Sequence, residues 1–170
     1  MKALIINIIF LNLFVSCKEK NDIFGPENPS VEKFIELVKN DKYDFEYLPL
    51  FTPDDIPTIL NSANDFSEIK KFPVSPLSSY YPEHLTVGEC LLWTIESVRI
   101  FYNVDNSVNN CPSLVPKIRV MNDDNHPFLD ENNFIQVYNL YKSWWYDNVY
   151  KDFGIIRNIN PLEGTSYRWK

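Results

Sequence analysis

One stretch, Thr86–Tyr102 ("TVGECLLWTIESVRIFY"), constrains the fold more than any other. On a helical wheel its apolar residues run nearly all the way round, and only a narrow strip carrying Glu89, Glu96 and Arg99 stays polar. A helix of that kind is stable only when other elements enclose it, so it is expected at the centre of the fold. Thr86 followed by Glu89 forms a capping box at its start. Glu96 and Arg99, one turn apart, are expected to pair on the strip.

Three further segments supply candidates to enclose it. Ser30 caps "VEKFIELVKN", in which Val31, Phe34, Ile35 and Val38 recur with helical spacing. Thr52 opens "PDDIPTILNSA", with Pro53 at the first helical position, acids next, and Ile56, Ile59, Leu60 and Ala63 as one apolar stripe. Pro57 lies close enough to the first turn to cost few hydrogen bonds. A last helix is expected from Asp130 to about Asp152, stopped by Gly154. Its main stripe is Phe134, Val137, Tyr138, Tyr141, Trp144, Trp145 and Val149. A second flank carries Ile135, Tyr146, Tyr150 and Phe153, which either packs or binds something.

Between these helices, residues 72–84 ("FPVSPLSSYYPEH") are proline-rich and expected to lie extended over the helices, and residues 103–129 are rich in Asn and Asp. Within the second, "PKIRVMN" has the character of a short strand. Loops this long are uncommon in a compact domain and are often functional. The fold class expected is all-α: about four helices with long proline- and Asn-rich irregular connections, in HEAT-like or bundle-like packing. The helix starts at Thr52 and Thr86 are 34 residues apart, but the next start does not keep that period.

The first sixteen residues have a charged start at Lys2, an apolar run from Ala3 to Val15 and a small Ser16, the layout of a secretory signal. The run is too short to cross a bilayer. Phe14, Val15, Ser16 and Cys17 resemble the processing site of bacterial lipoproteins, in which the cysteine is acylated; Phe14 stands where Leu is usual. The organisation expected is therefore a signal peptide at 1–16, a lipidated Cys17 with a polar tether over 17–29, and one domain over 30–170. "KEKND" after Cys17 is similar to the short charged tags that direct lipoproteins of Bacteroidota to the cell surface. The localisation implied is the outer membrane, on its periplasmic or surface face.

The chain's formal net charge is −7, and removing the signal takes away one cation, Lys2. Lys and Arg form no cluster, so the phosphate backbone of a nucleic acid is a poor partner. Cys90 and Cys111 remain once Cys17 is acylated. A disulfide between them would close a loop of about twenty residues and contribute roughly 3 kcal/mol; two free buried thiols are the alternative.

The sequence offers little catalytic chemistry. Ser78, Ser79 and His84 lack a nucleophile turn and an orienting acid. Cys90, mid-helix among apolar residues, is a poor nucleophile. Asp105, Ser107 and Asn109 begin like a calcium loop, but Asn110 replaces the glycine and Pro116 the bidentate Glu. Asp123, Asp124 and His126 suit a metal only weakly, and Asp54 and Asp55 are explained by capping. No catalytic residue, metal or cofactor is assigned.

"YLPLFTPDDIPTILNSANDFSEIKKFPVSPLSSYY", "GECLLWTIESVRI" and "INPLEGTSYRWK" together resemble a family of small Bacteroidota lipoproteins classed as a domain of unknown function, from about Tyr47 to Lys170. The resemblance implies a helical domain from gut-type Bacteroidota and no established activity. The function expected is a non-enzymatic protein-interaction or assembly module, held to the membrane by acylated Cys17 and meeting an envelope protein or a glycan. The candidate binding surface is Tyr80, Tyr81, Tyr146, Tyr150 and Phe153. Sugar stacking by Tyr80, Tyr81, Trp144 or Trp145 is the alternative, and a hydrolase that uses His84 is a third.

Overall fold

The computed structural model describes residues 28–104, 110–121 and 128–170. The long apolar helix is the axis of the domain: α3, Val87–Phe101, is buried without a break from Val87 to Val98. Thr86 caps it, its hydroxyl accepting from the Glu89 amide at 3.3 Å. The remaining elements wrap α3.

On one side lie α1 (Val31–Lys39) and α2 (Ile56–Ser62). The Ser30 hydroxyl accepts from the Lys33 amide, and Val31, Phe34, Ile35 and Val38 are the buried face of α1. A 3-10 turn, Pro53–Asp55, precedes α2, and the Asp55 carboxylate accepts from both the amide and the hydroxyl of Thr52. An aromatic cluster joins α1 to α3: Phe34 meets Tyr43 edge-on with centroids 5.0 Å apart, Phe51 at 5.3 Å and Phe72 at 6.3 Å, and Phe72 reaches Trp93 of α3 at 6.2 Å. Such offset and T-shaped contacts add to the area each ring buries.

On the other side lies α4, Glu131–Tyr146, capped by Asp130, whose carboxylate accepts from the Asn133 amide at 2.7 Å. Its Phe134 packs over Gly88 of α3. A Cβ there would run into the Phe134 ring and come within 2.6 Å of the Ala63 carbonyl, so only glycine lets these three elements approach.

The all-α expectation is wrong. Among the described residues the fold is mixed α/β, with two two-stranded antiparallel sheets beside five α-helices. In the first sheet β1 (Glu68–Ile69) pairs with β2 (Leu85–Thr86). In the second, β3 (Ile118–Val120), inside the "PKIRVMN" stretch, pairs with β4 (Tyr167–Trp169) in the register Ile118↔Trp169 and Val120↔Tyr167. Strands of two or three residues are too short to leave an alternation in sequence, and their partners lie 16 to 51 positions away. Beyond the strand itself, the Lys170 carbonyl accepts from the Leu114 and Val115 amides and its amide donates to the Lys117 carbonyl. The chain's end thereby holds the 114–117 segment in place.

The last helix is also shorter than expected. Asn148 donates its side-chain amide to the Trp144 carbonyl at 2.7 Å, which competes with a further helical turn. Asp152 then caps a separate short helix, α5 (Phe153–Ile156), by accepting from the Gly154 amide. Gly154 thus lies inside the start of a helix, where a stop was expected.

Candidate functional site

A cleft of about 600 Å³ lies where the two small sheets meet the start of α4. Three chain segments build it. The strand pair β1–β2, with the residues leading into it, brings Glu68, Tyr80, Pro82, Glu83, His84 and Thr86; Lys117 comes from the position just before β3; and the bridge from Arg119 to Phe128 brings Phe128, Leu129, Asp130 and Glu131. Phe66 adds a further ring. Walls are apolar and aromatic, and the mouth carries four carboxylates: Glu68, Glu83, Asp130 and Glu131.

At the floor lies a buried ion pair. Lys117 Nζ is 2.6 Å from Glu89 Oε2, with the two side chains 7% and 0% exposed. The Ile118 amide donates to Glu89 Oε1 at 3.1 Å, and the Thr86 hydroxyl donates to Oε2 at 3.0 Å. Burial pushes the Glu89 carboxyl above its usual value, although Lys117 and the two hydrogen-bond donors pull the other way. The Glu89 that the sequence offers as a capping partner thus grips β3 and leaves the Lys117 ammonium as the polar point of the cleft floor. Sequence reasoning missed that role; the available signal was a lysine set between apolar residues in "LVPKIRV". Ionised groups are almost never buried unless paired.

The aromatic walls already hold cations. Lys170 Nζ lies 4.0 Å from the Tyr80 ring centroid and 5.3 Å from that of Phe128. Lys117 Nζ lies 5.6 Å from Phe128. A profile for a domain of unknown function, DUF4943, matches residues 25–170. The chain belongs to that family. No curated protein and no solved structure matches it. The match to DUF4943 starts well before Tyr47, so it takes in α1 and its aromatic cluster as well.

This DUF4943 domain distributes the other candidate residues unevenly. Tyr80 is exposed and lines the cleft. Tyr81 is exposed but tied down, its hydroxyl donating to the Lys70 carbonyl and accepting from the Phe72 amide, both at 3.0 Å. Tyr146 and Tyr150 stand far from it in sequence, around the end of α4; Tyr150 is 79% exposed. Phe153 packs edge-on against Tyr102 at 5.7 Å. Of the five, Tyr80 is the one that lines the cleft.

Trp144 and Trp145 are buried in the core and present no face to a sugar. The His84 side chain is 72% exposed, with Nδ1 3.3 Å from Glu68 Oε1 at the cleft mouth. Cys90 and Cys111 are both free thiols, so the disulfide weighed from the sequence is not formed. Cys90 points into the core from α3 and Cys111 is half-buried; burial pushes the Cys90 thiol well up and that of Cys111 to about 11.

A smaller cavity of about 240 Å³ lies beside the end of α3, lined in part by Ser97, Phe101 and Asn110. Asn110 Oδ1 is buried there with no hydrogen-bond partner among the described residues. Among the described residues no group of His, Cys, Asp and Glu is placed to hold a metal, and no helix is long and apolar enough to cross a membrane. Cys17, the Asp105–Ser107–Asn109 spacing and Asp123, Asp124 and His126 lie outside the described residues.

Proposed function

We propose that this DUF4943 protein is a lipid-anchored envelope protein of Bacteroidota that acts, without catalysis, as a docking module for another envelope protein. The anchor is supported by the sequence alone: an apolar leader, the Phe14–Cys17 processing pattern and a polar tether. Two or more acyl chains on Cys17 would hold it at the outer membrane, where one would hold it only reversibly.

One observation carries the docking role: a concave, aromatic-walled cleft with carboxylates at its mouth, one neutralised ion pair at its floor and the ammonium of Lys170 over its rings. Interface cores favour aromatic and apolar residues, with charges set at the rim. The first test is cross-linking of the anchored protein in intact envelopes, followed by purification under denaturing conditions. The expected result is one discrete partner adduct that disappears in Tyr80→Ala, and loss of the protein from the membrane fraction in Cys17→Ala. An adduct insensitive to Tyr80→Ala, or a Cys17→Ala protein still partitioning with membranes, contradicts the proposal.

A further inference from the structure

We infer that the partner inserts a basic side chain, arginine or lysine, into the cleft; this rests on the reading of the cleft as a protein-docking site. Charge is the first support. Glu83 and Glu131 stand exposed at the mouth beside Glu68 and Asp130, whereas the floor ammonium of Lys117 is neutralised by Glu89 at 2.6 Å. With the ammonium of Lys170 over Tyr80 counted against these four carboxylates, the cleft still carries net negative charge, in a chain that is itself acidic, and attracts cations while repelling acidic peptides.

The rings are the second support, independent of the first. Tyr80 and Phe128 already share the ammonium of Lys170, at 4.0 and 5.3 Å from their centroids, so these walls demonstrably hold a cation within the molecule itself. A basic side chain fits both features at once. Its alkyl stem lies along apolar surface, here Phe66, Phe128 and Leu129, while its charged head stays among the carboxylates. A sugar ring would use the aromatic faces but would gain nothing from the mouth's net charge.

The test is a titration of the full lipidated protein in neutral-detergent micelles with capped pentapeptides, Gly-Gly-X-Gly-Gly, where X is arginine, lysine, citrulline or norleucine. His84, at the mouth, reports binding through its ring proton signals. The arginine and lysine peptides should bind about tenfold more tightly than citrulline and norleucine, and that preference should shrink in high salt. It should collapse in Glu83→Gln/Glu131→Gln, a variant that changes only exposed side chains, with folding checked by its melting curve. Equal binding of arginine and citrulline, or no shift of the His84 signals by any peptide, overturns the inference. A Tyr80-dependent adduct in envelopes combined with that negative result would leave the docking role standing and remove only the basic side chain. Tight binding of N-acetylglucosamine oligomers in place of the basic peptides would also overturn it.

Discussion

The two ends of α3 each bury a glutamate, and they treat it differently. Glu96, near the C-terminal end, is sealed. Arg99 grips it with Nε at 2.9 Å and Nη2 at 2.6 Å, and the Tyr141 hydroxyl donates to it at 2.7 Å. The network then closes outward: Trp169 Nε1 donates to the Tyr141 hydroxyl at 2.8 Å, Arg99 Nη1 donates to the Arg157 carbonyl, and Arg157 donates to the carbonyls of Ile100 and Tyr102. Tyr141 ties α4 to α3, Trp169 ties β4 to α4 and Arg157 ties the end of α5 to α3, so this end is a joint. Glu89, near the N-terminal end, also ties in a strand, through the Ile118 amide, but its charge partner lines an open cleft. The same residue type at the same depth thus knits the core at one end and sets the electrostatics of a surface at the other.

The largest effect should come from breaking the open end. Lys117→Ala leaves the Glu89 carboxylate buried without its cation, and urea unfolding should register a loss of about 3–5 kcal/mol. Replacing both partners with methionine should return most of it, because well-packed apolar residues often substitute for a buried pair at no net cost. If the double variant is as unstable as the single one, Lys117 contributes through packing and not through Glu89.

Tyr141→Phe at the sealed end should cost less, about 2 kcal/mol, since it removes one hydroxyl that donates to Glu96 and accepts from Trp169. Arg99 still neutralises the carboxylate. A loss equal to that of Lys117→Ala would erase the distinction between the ends.

The pH dependence should be smaller but its sign is diagnostic. Burial holds the Glu89 carboxyl above its ordinary 4.5, so the folded protein binds that proton more tightly than the unfolded chain does. Its contribution to stability is then complete below about 4.5 and is lost as pH rises through the folded value. The stability of the wild type minus that of Glu89→Gln should therefore fall as pH rises over that window, by up to about 1.4 kcal/mol per unit. A difference that grows with pH would show that Lys117 over-compensates burial.

Much of this was legible before the structure. The central helix, the caps at Ser30, Thr86 and Asp130, the stripe on α2 and the Glu96–Arg99 pair all follow from spacing within one element, where side chains three or four residues apart must meet. What was not legible depends on residues far apart in sequence. The pairing of β3 with β4 spans 51 positions between Ile118 and Trp169, and Glu89 finds Lys117 across 28. The cleft exists only because of those two meetings, so an inspection of helix faces pointed instead to the aromatic flank of α4. Of that flank, Phe153 packs against Tyr102 while Tyr146 and Tyr150 stay exposed, and Tyr80, from the proline-rich stretch, is the candidate residue that reaches the cleft.

The claim that the open end of α3 is the working end can be tested with a photo-reactive phenylalanine analogue placed, in separate proteins, at Tyr80 and at Tyr150. Both positions are exposed, and they lie at the cleft and beyond the end of α4 respectively. Irradiated in intact envelopes, the protein carrying the analogue at position 80 should form a discrete adduct with a partner and the one carrying it at position 150 should not. An adduct at 150 with none at 80 would contradict the account.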